Sequence, residues 1–312
     1  MVTPEGGHRS GAGSVDKDGI VHDKDAKHLL DSIGKIVQGI VHTEALTYEN
    51  ELHGLLTNAT YPNDENPKKS TPENPCQLNH EYHTNVTDGH NDPCGNRPDV
   101  RFSDKYGGQC TDSKIKGNVG NNGGACAPFR RLFLCDQNLE YIKPEKITST
   151  HNLLLEVSLA AQHEGESLKN YHDEYRSKYL DTKSQLCTIL ARSFADIGDI
   201  VRGKDLFLGH SKEKEKLEQN LQNIFEKLKS SNPQLTNVSL EKIREYWWAL
   251  NRQEIWKAIT CDAPDYAKYF GQTCGGGTTA TITQCRCATN YVPTYFDYVP
   301  QYLRWFEEWA ED

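Results

Sequence analysis

The hydrophobic positions near the start of the chain predict an amphipathic helix. Within residues 25–56, apolar residues recur in steps of three and four, at Leu29, Ile33, Ile36 and Ile40. This spacing places them on one face of a helix, with a turn near Gly54, and we expect that face to be buried against the rest of the protein. A helix lying on a membrane is the alternative, but its polar face would be rich in Lys and Arg, whereas this one carries both signs of charge.

The second half of the chain is dominated by helical patterns. Segments 151–180, 183–203, 211–231 and 239–261 each carry one apolar stripe, and Pro300 opens a last helix. Ser239 is a predicted N-cap and Gly203 a predicted helix stop. The aromatic residues fall at helical spacing, which favours a place in the core over a ligand-stacking surface; they are Trp247, Trp248, Trp256, Trp305 and Trp309. The predicted fold class is mainly α, with four or five antiparallel helices.

The remaining segments are predicted to be irregular. Residues 1–22 are rich in Gly and Ser and are expected to be flexible. Residues 57–125 are rich in Pro, Gly, Asn and Asp, which is typical of loops. Five of the ten cysteines lie between positions 76 and 135. A loop-rich segment that buries little apolar surface is where crosslinks are most needed.

The cysteine pattern favours disulfides over metal binding. Zinc sites usually contain a close CxxC pair, and the chain has none. Ten dispersed cysteines fit an oxidising compartment, with buried thiols and metal or redox chemistry as weaker alternatives. The first residues lack the apolar stretch of a secretory signal peptide, and no run approaches the roughly 18 apolar residues of a membrane span. We therefore expect either a fragment or export by an unusual route.

Charge limits the partners that the chain can bind. The formal net charge is −9, which disfavours nucleic acid because the phosphate backbone would be repelled. Sulfated glycans could bind only where cations concentrate. The candidate groups are Arg130 with Arg131, then Lys212, Lys214 and Lys216, and finally Lys227 with Lys229. Acidic neighbours weaken the lysine run, so we expect weak binding that is distributed over several patches and is reduced by salt.

The sequence offers little support for catalysis. The segment HEYH at 80–83 lacks the spacing of a zinc protease, and no GxSxG occurs. Asp196 and Asp199 lie on one helix face and could do acid–base work. Arg192 and Arg202 lie within one turn of them, however, which favours structural ion pairs. We therefore expect neither an enzyme nor a bound cofactor or metal, with a disulfide-rich secreted enzyme as a remote alternative.

Several long motifs carry a family resemblance. The segments ACAPFRRLFLCDQNLEYI, ARSFADIGDIVRGKDLFLG, REYWWALNRQEIWKAITC and YVPTYFDYVPQYLRWFEEWAED occur in this order. Together they resemble the Duffy-binding-like domain of the alpha class, which heads the erythrocyte membrane protein 1 adhesins of the malaria parasite Plasmodium falciparum. DAKHLLDSIGKIV and HTNVTDGH resemble the N-terminal segment that precedes this domain and docks on it.

The resemblance implies a domain organisation. Residues 1–22 would be a flexible N-terminus, residues 23–75 the N-terminal segment, and residues 76–312 a Duffy-binding-like alpha domain truncated at its C-terminus. The fold would comprise a loop-rich, disulfide-crosslinked first subdomain and a helix-bundle second subdomain, with the third subdomain missing.

The resemblance also implies a function and a location. Such adhesins reach the surface of the infected red cell without an N-terminal signal peptide, and a transmembrane segment far downstream attaches them. KHLLD resembles their export signal, with Lys27, Leu29 and Asp31 as its defining residues; an ordinary helix turn is the alternative. The implied function is binding of a host-cell receptor or sulfated glycan. The alternative is a scaffold that positions a neighbouring receptor-binding cysteine-rich domain.

Pairings of the cysteines follow from the same resemblance. In related domains the two motif cysteines are nested, which implies Cys110–Cys126 and Cys94–Cys135 and places Arg130 and Arg131 in a fastened loop. Family pairing further implies Cys187–Cys261, and we also expect Cys274–Cys287. Cys285 would then await a partner outside this chain, and Cys76 has no assigned partner.

Overall fold

The computed structural model is mainly helical. It describes residues 14–15, 21–22, 25–62, 71–101, 108–120, 124–178, 186–209, 213–275, 277–289 and 291–311. The α-helices in these residues are α1 Ala26–Ala45, α2 Glu49–Leu52, α3 Phe129–Leu132, α4 Gln137–Glu140, α5 Thr150–Lys178, α6 Leu186–Arg202, α7 Glu213–Ser231, α8 Leu240–Ile259 and α9 Gln301–Glu311. Short 3-10 turns cover Leu46–Tyr48, Leu56–Asn58, Pro75–Gln77, Pro233–Leu235 and Phe296–Tyr298.

A bundle of α5, α6, α7 and α8 contains the main core. Every residue of α6 is buried, and Trp247 and Trp248 of α8 are fully enclosed. Gly165 allows α5 to approach α8 closely, because a Cβ at that position would lie 1.9 Å from the carbonyl oxygen of Ile259. The predicted helix signals are present: the Ser239 side chain accepts a hydrogen bond from the Lys242 amide, and Gly203 takes a φ of +74° where α6 ends.

A short strand pair precedes the first helix. The strands β1 Ser14–Val15 and β2 Val21–His22 pair antiparallel. The prediction that residues 1–22 are flexible stays a prediction, because most of these residues lie outside the described ranges. Helix α1 then packs on α8 and on the turn Phe296–Tyr298. The N-terminal segment therefore docks on the helical bundle. Among the helices of the described ranges, none has an apolar stretch that would reach across a bilayer.

Five disulfides crosslink the chain, and they correct two of the expected pairings. Cys94–Cys135, Cys110–Cys126 and Cys274–Cys287 agree with the pairs that were expected from the sequence. The expected pair Cys187–Cys261 is wrong, because Cys187 bonds to Cys285 and Cys261 bonds to Cys76. Cys285 therefore has its partner within this chain. Both corrected bonds involve an end of a bundle helix: Cys187 lies in the first turn of α6, and Cys261 follows α8.

Candidate functional site

The basic pair in the CAPFRRLFLC segment lies in the protein interior. The disulfides Cys94–Cys135 and Cys110–Cys126 hold the segment at both ends, and its middle forms the short helix α3. Arg130 is 1% exposed and Arg131 is fully buried. The prediction that these two residues contribute to a glycan-binding surface is therefore wrong, and the segment is a structural joint.

Arg130 joins three elements through charged hydrogen bonds. Its Nη2 donates to Asp196 Oδ2 at 2.7 Å, and its Nη1 donates to the hydroxyl of Ser193 at 2.8 Å, both on α6. Its Nε and Nη2 also donate to the two carboxylate oxygens of Glu308 on α9, each at 2.9 Å. Because a buried charge is tolerated only when it is paired and hydrogen-bonded, this arrangement fixes the positions of α3, α6 and α9 together.

Arg131 makes a separate buried contact. Its guanidinium pairs with the carboxylate of Asp205, which follows α6, and lies 5.2 Å from the ring centre of Phe207. Burial lowers the pKa of the guanidinium, but the carboxylates of Asp205, Asp136 and Asp196 together outweigh this effect and raise the pKa. Arg131 is therefore charged and held inside the fold by Asp205, through its Nε and Nη2.

The carboxylates of α6 also belong to this interior network. Arg304 of α9 donates to Asp196 Oδ1 at 2.7 Å and to Asp199 Oδ2 at 2.5 Å, and Arg202 donates to Asp199 Oδ1 at 2.9 Å. Burial alone raises the pKa of Asp196, but Arg130 and Arg304 lower it to about 2. Asp196 is thus held ionised by two guanidiniums, which is a structural role and not that of a proton donor.

The predicted ion pairs within α6 are only partly present. Arg202 pairs with Asp199 as the sequence predicts, whereas Arg192 pairs with Glu307 at 2.8 Å and Glu311 at 2.6 Å on α9. The charged side of α9 faces inward, so each of its carboxylates neutralises an arginine of α3 or α6. Sequence proximity on one helix did not decide the pairing of Arg192, because α9 provides closer carboxylates.

The export-signal-like residues lie in the first two turns of α1. Lys27 Nζ is 2.6 Å from Glu311 Oε1, Leu29 is partly buried, and Asp31 is 4% exposed. Asp31 Oδ1 accepts hydrogen bonds from the Tyr295 amide at 2.6 Å and from the hydroxyls of Tyr269 and Thr294 at 3.2 Å each. Burial raises the pKa of Asp31 to about 7. In the folded protein, Asp31 is therefore a docking residue between α1 and the 294–298 segment.

The face of α1 that docks is not the one that the periodicity predicts. Asp31, Gly34 and Ala45 are buried, and a Cβ at Gly34 would lie 2.2 Å from the Tyr295 carbonyl oxygen. The apolar stripe lies on the opposite side: Ile33 is 39%, Ile36 50% and Ile40 61% exposed. The expectation that this stripe is buried against the domain is wrong. The helix docks through Leu30 and Val41, which pack against the core, and through Asp31 and Gly34, where the missing side chain allows a close backbone approach to Tyr295.

The two histidines of the HEYH segment contact other aromatic side chains. His80 Nδ1 lies 3.3 Å from Nε2 of His163 on α5, and the His83 ring packs edge-on to Tyr61. Burial and the nearby His80 lower the pKa of His163 to about 4. Within the described ranges, no cluster of three or more His, Cys, Asp or Glu has a metal-binding arrangement.

Two protein-family models match this chain. The Duffy binding domain model matches residues 124–304, which is more than half of the chain, and the model of the N-terminal segments of PfEMP1 matches residues 25–60. The chain belongs to the Duffy binding domain family. These ranges contain the α3–α6–α9 network up to Arg304 and the docked helix α1.

Solved structures of relatives share this fold. The chain is 38% identical to the NTS-DBL1-alpha and CIDR-gamma double domain of PfEMP1 from the P. falciparum varO strain, covering 92% of this chain and 43% of that one, with a TM-score of 0.81. It is 36% identical to the varO NTS-DBL1(alpha-1) domain, covering 92% of this chain and 61% of that one, with a TM-score of 0.71. A DBLbeta domain of PfEMP1 bound to ICAM-1 is 26% identical, covering 90% of this chain and 65% of that one, with a TM-score of 0.67.

A curated relative extends the family to another parasite. The Duffy receptor gamma form of Plasmodium knowlesi is 24% identical over 213 residues, which is 65% of this chain and 17% of that protein. The chain thus spans less than two thirds of the length of each of these relatives.

The lysines that were predicted to bind glycans do not form one patch in this Duffy binding domain. Lys214 pairs with Asp136 and lies 3.3 Å from Glu140, and its side chain is 11% exposed. Lys227 Nζ donates to the carbonyl oxygens of Pro144 and Ile147 at 3.4 Å. Lys216 is exposed and Lys229 is partly exposed, and Lys212 lies outside the described residues.

The sequence analysis missed a set of outward-facing aromatic side chains on α9 of this Duffy binding domain. Phe306 is 74%, Tyr302 51% and Trp309 37% exposed, whereas Trp305 is buried. Trp305 and Trp309 were expected in the core, and only Trp305 is buried there. The signal that could have found them is the charge pattern: Arg304, Glu307 and Glu308 share the opposite face, and their arginine and carboxylate partners lie inside the fold.

Proposed function

We propose that this chain is a host-receptor-binding adhesion module of an exported variant surface antigen on infected red cells. The observation that carries the proposal is the succession of the two family matches, an N-terminal segment of PfEMP1 at 25–60 and a Duffy binding domain at 124–304. Similarity to the varO domains over 92% of the chain supports it.

The distribution of charge supports a binding module without catalytic activity. The arginines and carboxylates of the most distinctive motifs neutralise one another in the interior, as Arg130, Asp196 and Arg304 do. Burial opposes the charged forms of these three groups, but their ion pairs outweigh it, so the pKa of Asp196 is lowered and the pKa values of Arg130 and Arg304 are raised. Such groups are poorly suited to exchange protons near neutral pH. The proposed activity therefore requires neither a cofactor nor a metal and relies on the shape and charge of the surface.

The proposed partner is a protein or a sulfated glycan on the surface of a host cell. A related DBLbeta domain is bound to ICAM-1, which makes a protein receptor a reasonable partner class. Nucleic acid is a poor partner because the net charge is −9. Among the candidate glycan-binding lysines, exposed Lys216 and partly exposed Lys229 remain, and Lys214 is engaged by carboxylates. Glycan binding through them would be weak and strongly reduced by salt.

Cell and receptor binding by the oxidised chain tests this proposal. We expect saturable binding to red cells or endothelial cells, or to immobilised ICAM-1 or heparin, measured by flow cytometry and surface plasmon resonance. The matched control is the same chain after reduction and alkylation, which retains composition and charge but loses the five crosslinks. Binding that is equal before and after reduction would contradict a folded recognition surface, and no binding to any of these targets would contradict the proposal.

The second candidate function is a scaffold that positions a neighbouring cysteine-rich domain. The varO relative contains such an arrangement, in which the matched part precedes a CIDR-gamma domain. In this reading the present chain orients its neighbour, which contacts the host receptor. In both readings we propose that the full-length protein lies at the infected red-cell surface and is attached through a downstream transmembrane segment. The two readings differ in whether this chain alone retains receptor binding.

A further inference from the structure

One of the five disulfides has a guanidinium fixed beside it. Cys76–Cys261 lies just after α8, and both of its cysteines are partly exposed. Arg286 Nη2 lies 3.7 Å from Cys76 Sγ. The guanidinium is held there because its Nε donates to the Thr260 hydroxyl at 2.7 Å and its Nη2 donates to the Lys257 carbonyl oxygen at 2.8 Å.

The charge of Arg286 has little compensation. Within the described ranges, no carboxylate forms an ion pair with its guanidinium, and the charge of Glu254 acts on it only from farther away. Glu254 also lies 4.0 Å from Lys257 Nζ. Burial lowers the pKa of Arg286, and Glu254 offsets this effect only in part. A negative charge that forms beside this guanidinium would therefore be stabilised.

A second arginine beside a disulfide provides a contrast. Arg101 Nη1 lies 3.6 Å from Cys135 Sγ, which belongs to the Cys94–Cys135 bond. Its Nη2, however, donates to both carboxylate oxygens of Glu164, at 2.8 Å and 2.7 Å, and neither side chain is exposed. The charge of Arg101 is thus neutralised beside its sulfur, whereas the charge of Arg286 is not.

The surroundings of the two sulfur atoms determine which one leaves when a thiol attacks. A thiolate is stabilised by a neighbouring cation, and a disulfide is cleaved faster when the leaving sulfur becomes a stable thiolate. Cys76 has Arg286 beside it. Cys261 Sγ lies 3.3 Å from the Lys257 carbonyl oxygen, and Cys76 Sγ is farther from this oxygen, at 3.8 Å. Because the C-terminal end of a helix carries partial negative charge, a thiolate is less stable on Cys261.

We propose that Cys76–Cys261 is a thiol-sensitive crosslink, which a low-molecular-weight thiol such as glutathione opens ahead of the other four disulfides. The attacking thiolate forms a bond to Cys261 Sγ while the bond between the two cysteines breaks, and the electron pair leaves with Cys76 as a thiolate beside Arg286. A second thiolate attacks the sulfur of the first and releases Cys261, which takes up a proton. Two thiols are thereby oxidised to one disulfide, and the Cys76–Cys261 bond is reduced by two electrons.

Opening this bond loosens the turn Pro75–Gln77 from the end of α8. The bond spans 185 positions of the chain, more than any of the other four. The turn then keeps the packing of buried Pro75 and the hydrogen bond from Gln162 Nε2 to the Cys76 carbonyl oxygen at 3.5 Å. The other four disulfides still crosslink the chain, so the change is local. It does not depend on which receptor the protein binds.

Timed alkylation during treatment with reduced glutathione tests the assignment. The oxidised 312-residue chain is treated under native conditions, quenched with N-ethylmaleimide at successive times and mapped by mass spectrometry. We expect alkylated Cys76 to appear first, together with glutathione attached to Cys261. Cys110–Cys126 is the control for accessibility, because Cys110 is exposed and no cation of the described part of the chain contacts either sulfur. Earlier opening of Cys110–Cys126, or glutathione attached to Cys76, would overturn the proposal.

Substitution of Arg286 separates the effect of its charge from a purely structural role. Arg286→Gln should slow cleavage of Cys76–Cys261 severalfold, whereas Arg286→Lys keeps the charge and should retain most of the wild-type rate. A purely structural role predicts the opposite sign, because losing the hydrogen bonds to Thr260 and Lys257 would loosen the site and speed cleavage. Unchanged or faster cleavage in Arg286→Gln would contradict the proposal.

Hydrogen–deuterium exchange measures the consequence of opening the bond. Exchange at residues 71–83 should rise after glutathione treatment to the level of the double variant Cys76→Ser with Cys261→Ser. The double variant itself should not respond to glutathione in this segment. If exchange in this segment is the same in the oxidised wild type and the double variant, the crosslink does not hold the turn and the proposal fails.

Discussion

Replacing Arg130 with methionine tests whether the most distinctive motif is a structural joint or a binding patch. The side chain is 1% exposed and donates to Ser193, Asp196 and Glu308. Methionine keeps much of the volume but removes the charge, which leaves the Glu308 carboxylate without the guanidinium that pairs with it. Asp196 retains Arg304 and the amide of Gln301, so it is less affected.

The contacts of Arg130 set the expected loss of stability in Arg130→Met. Removing one partner of a buried ion pair costs about 3–5 kcal/mol, because the remaining charge stays buried without compensation. Since Asp196 keeps other donors, we expect the free energy of unfolding to fall by about 3 kcal/mol. The matched control is Lys143→Met, which removes a pair with Asp88 whose side chains are 39% and 68% exposed. Exposed pairs of this kind contribute about 0–1 kcal/mol.

Guanidinium unfolding of the oxidised protein, followed by tryptophan fluorescence, measures both variants. Heparin chromatography at a temperature where both variants are folded adds the second readout. The reasoning predicts a large loss of stability for Arg130→Met with unchanged heparin retention. If Arg130→Met were as stable as Lys143→Met and eluted from heparin at lower salt than the wild type, the guanidinium would be at the surface and the structural interpretation would be refuted.

Three further predictions concern packing, pH and crosslinks. Gly165→Ala should lower the free energy of unfolding by about 2–3 kcal/mol, because the new Cβ would collide with the Ile259 carbonyl. The control Gly39→Ala, whose Cβ would have no atom within 4 Å, should raise the free energy of unfolding by about 0.5–1 kcal/mol. Equal effects of the two substitutions on stability would contradict the close α5–α8 approach. Because burial raises the pKa of Asp31 to about 7, docking of α1 should weaken as pH rises through about 7. Limited proteolysis between about pH 5 and about pH 8 should show this pH dependence for the wild type and not for Asp31→Asn. Identical pH profiles of the two proteins would contradict a role for Asp31 in docking. Peptide mapping without reduction should recover Cys187 joined to Cys285 and never to Cys261, and the loop of 98 positions that this bond closes should contribute up to about 4.7 kcal/mol.

The helices were predictable because their signals are local. The helix predicted at 151–180 is observed as α5 Thr150–Lys178, and Ser239 caps α8 as predicted. Caps, stops and 3.6-residue periodicity depend on neighbours a few positions away, which the sequence places side by side. The fold class followed from these elements.

The pairings between distant residues were predictable only in part. The bonds with sequence separations of 13, 16 and 41 were expected, and the two with separations of 98 and 185 were not. A long-range bond depends on which loop the tertiary fold places beside a helix end, and spacing alone does not contain that information. The burial of Arg130 has the same cause, because Asp196 and Glu308 lie 66 and 178 positions away.

Helix α1 illustrates a further limit of sequence patterns. Its periodicity correctly indicates a helix with one apolar face, but the pattern contains no information about which neighbour covers that face. The bundle instead selects the side where Gly34 lets the backbone approach Tyr295 and where Asp31 accepts three hydrogen bonds. The same side carries Leu30 and Val41, which pack against the core, so the helix is fixed by two apolar side chains together with the glycine contact and the hydrogen-bonded Asp31.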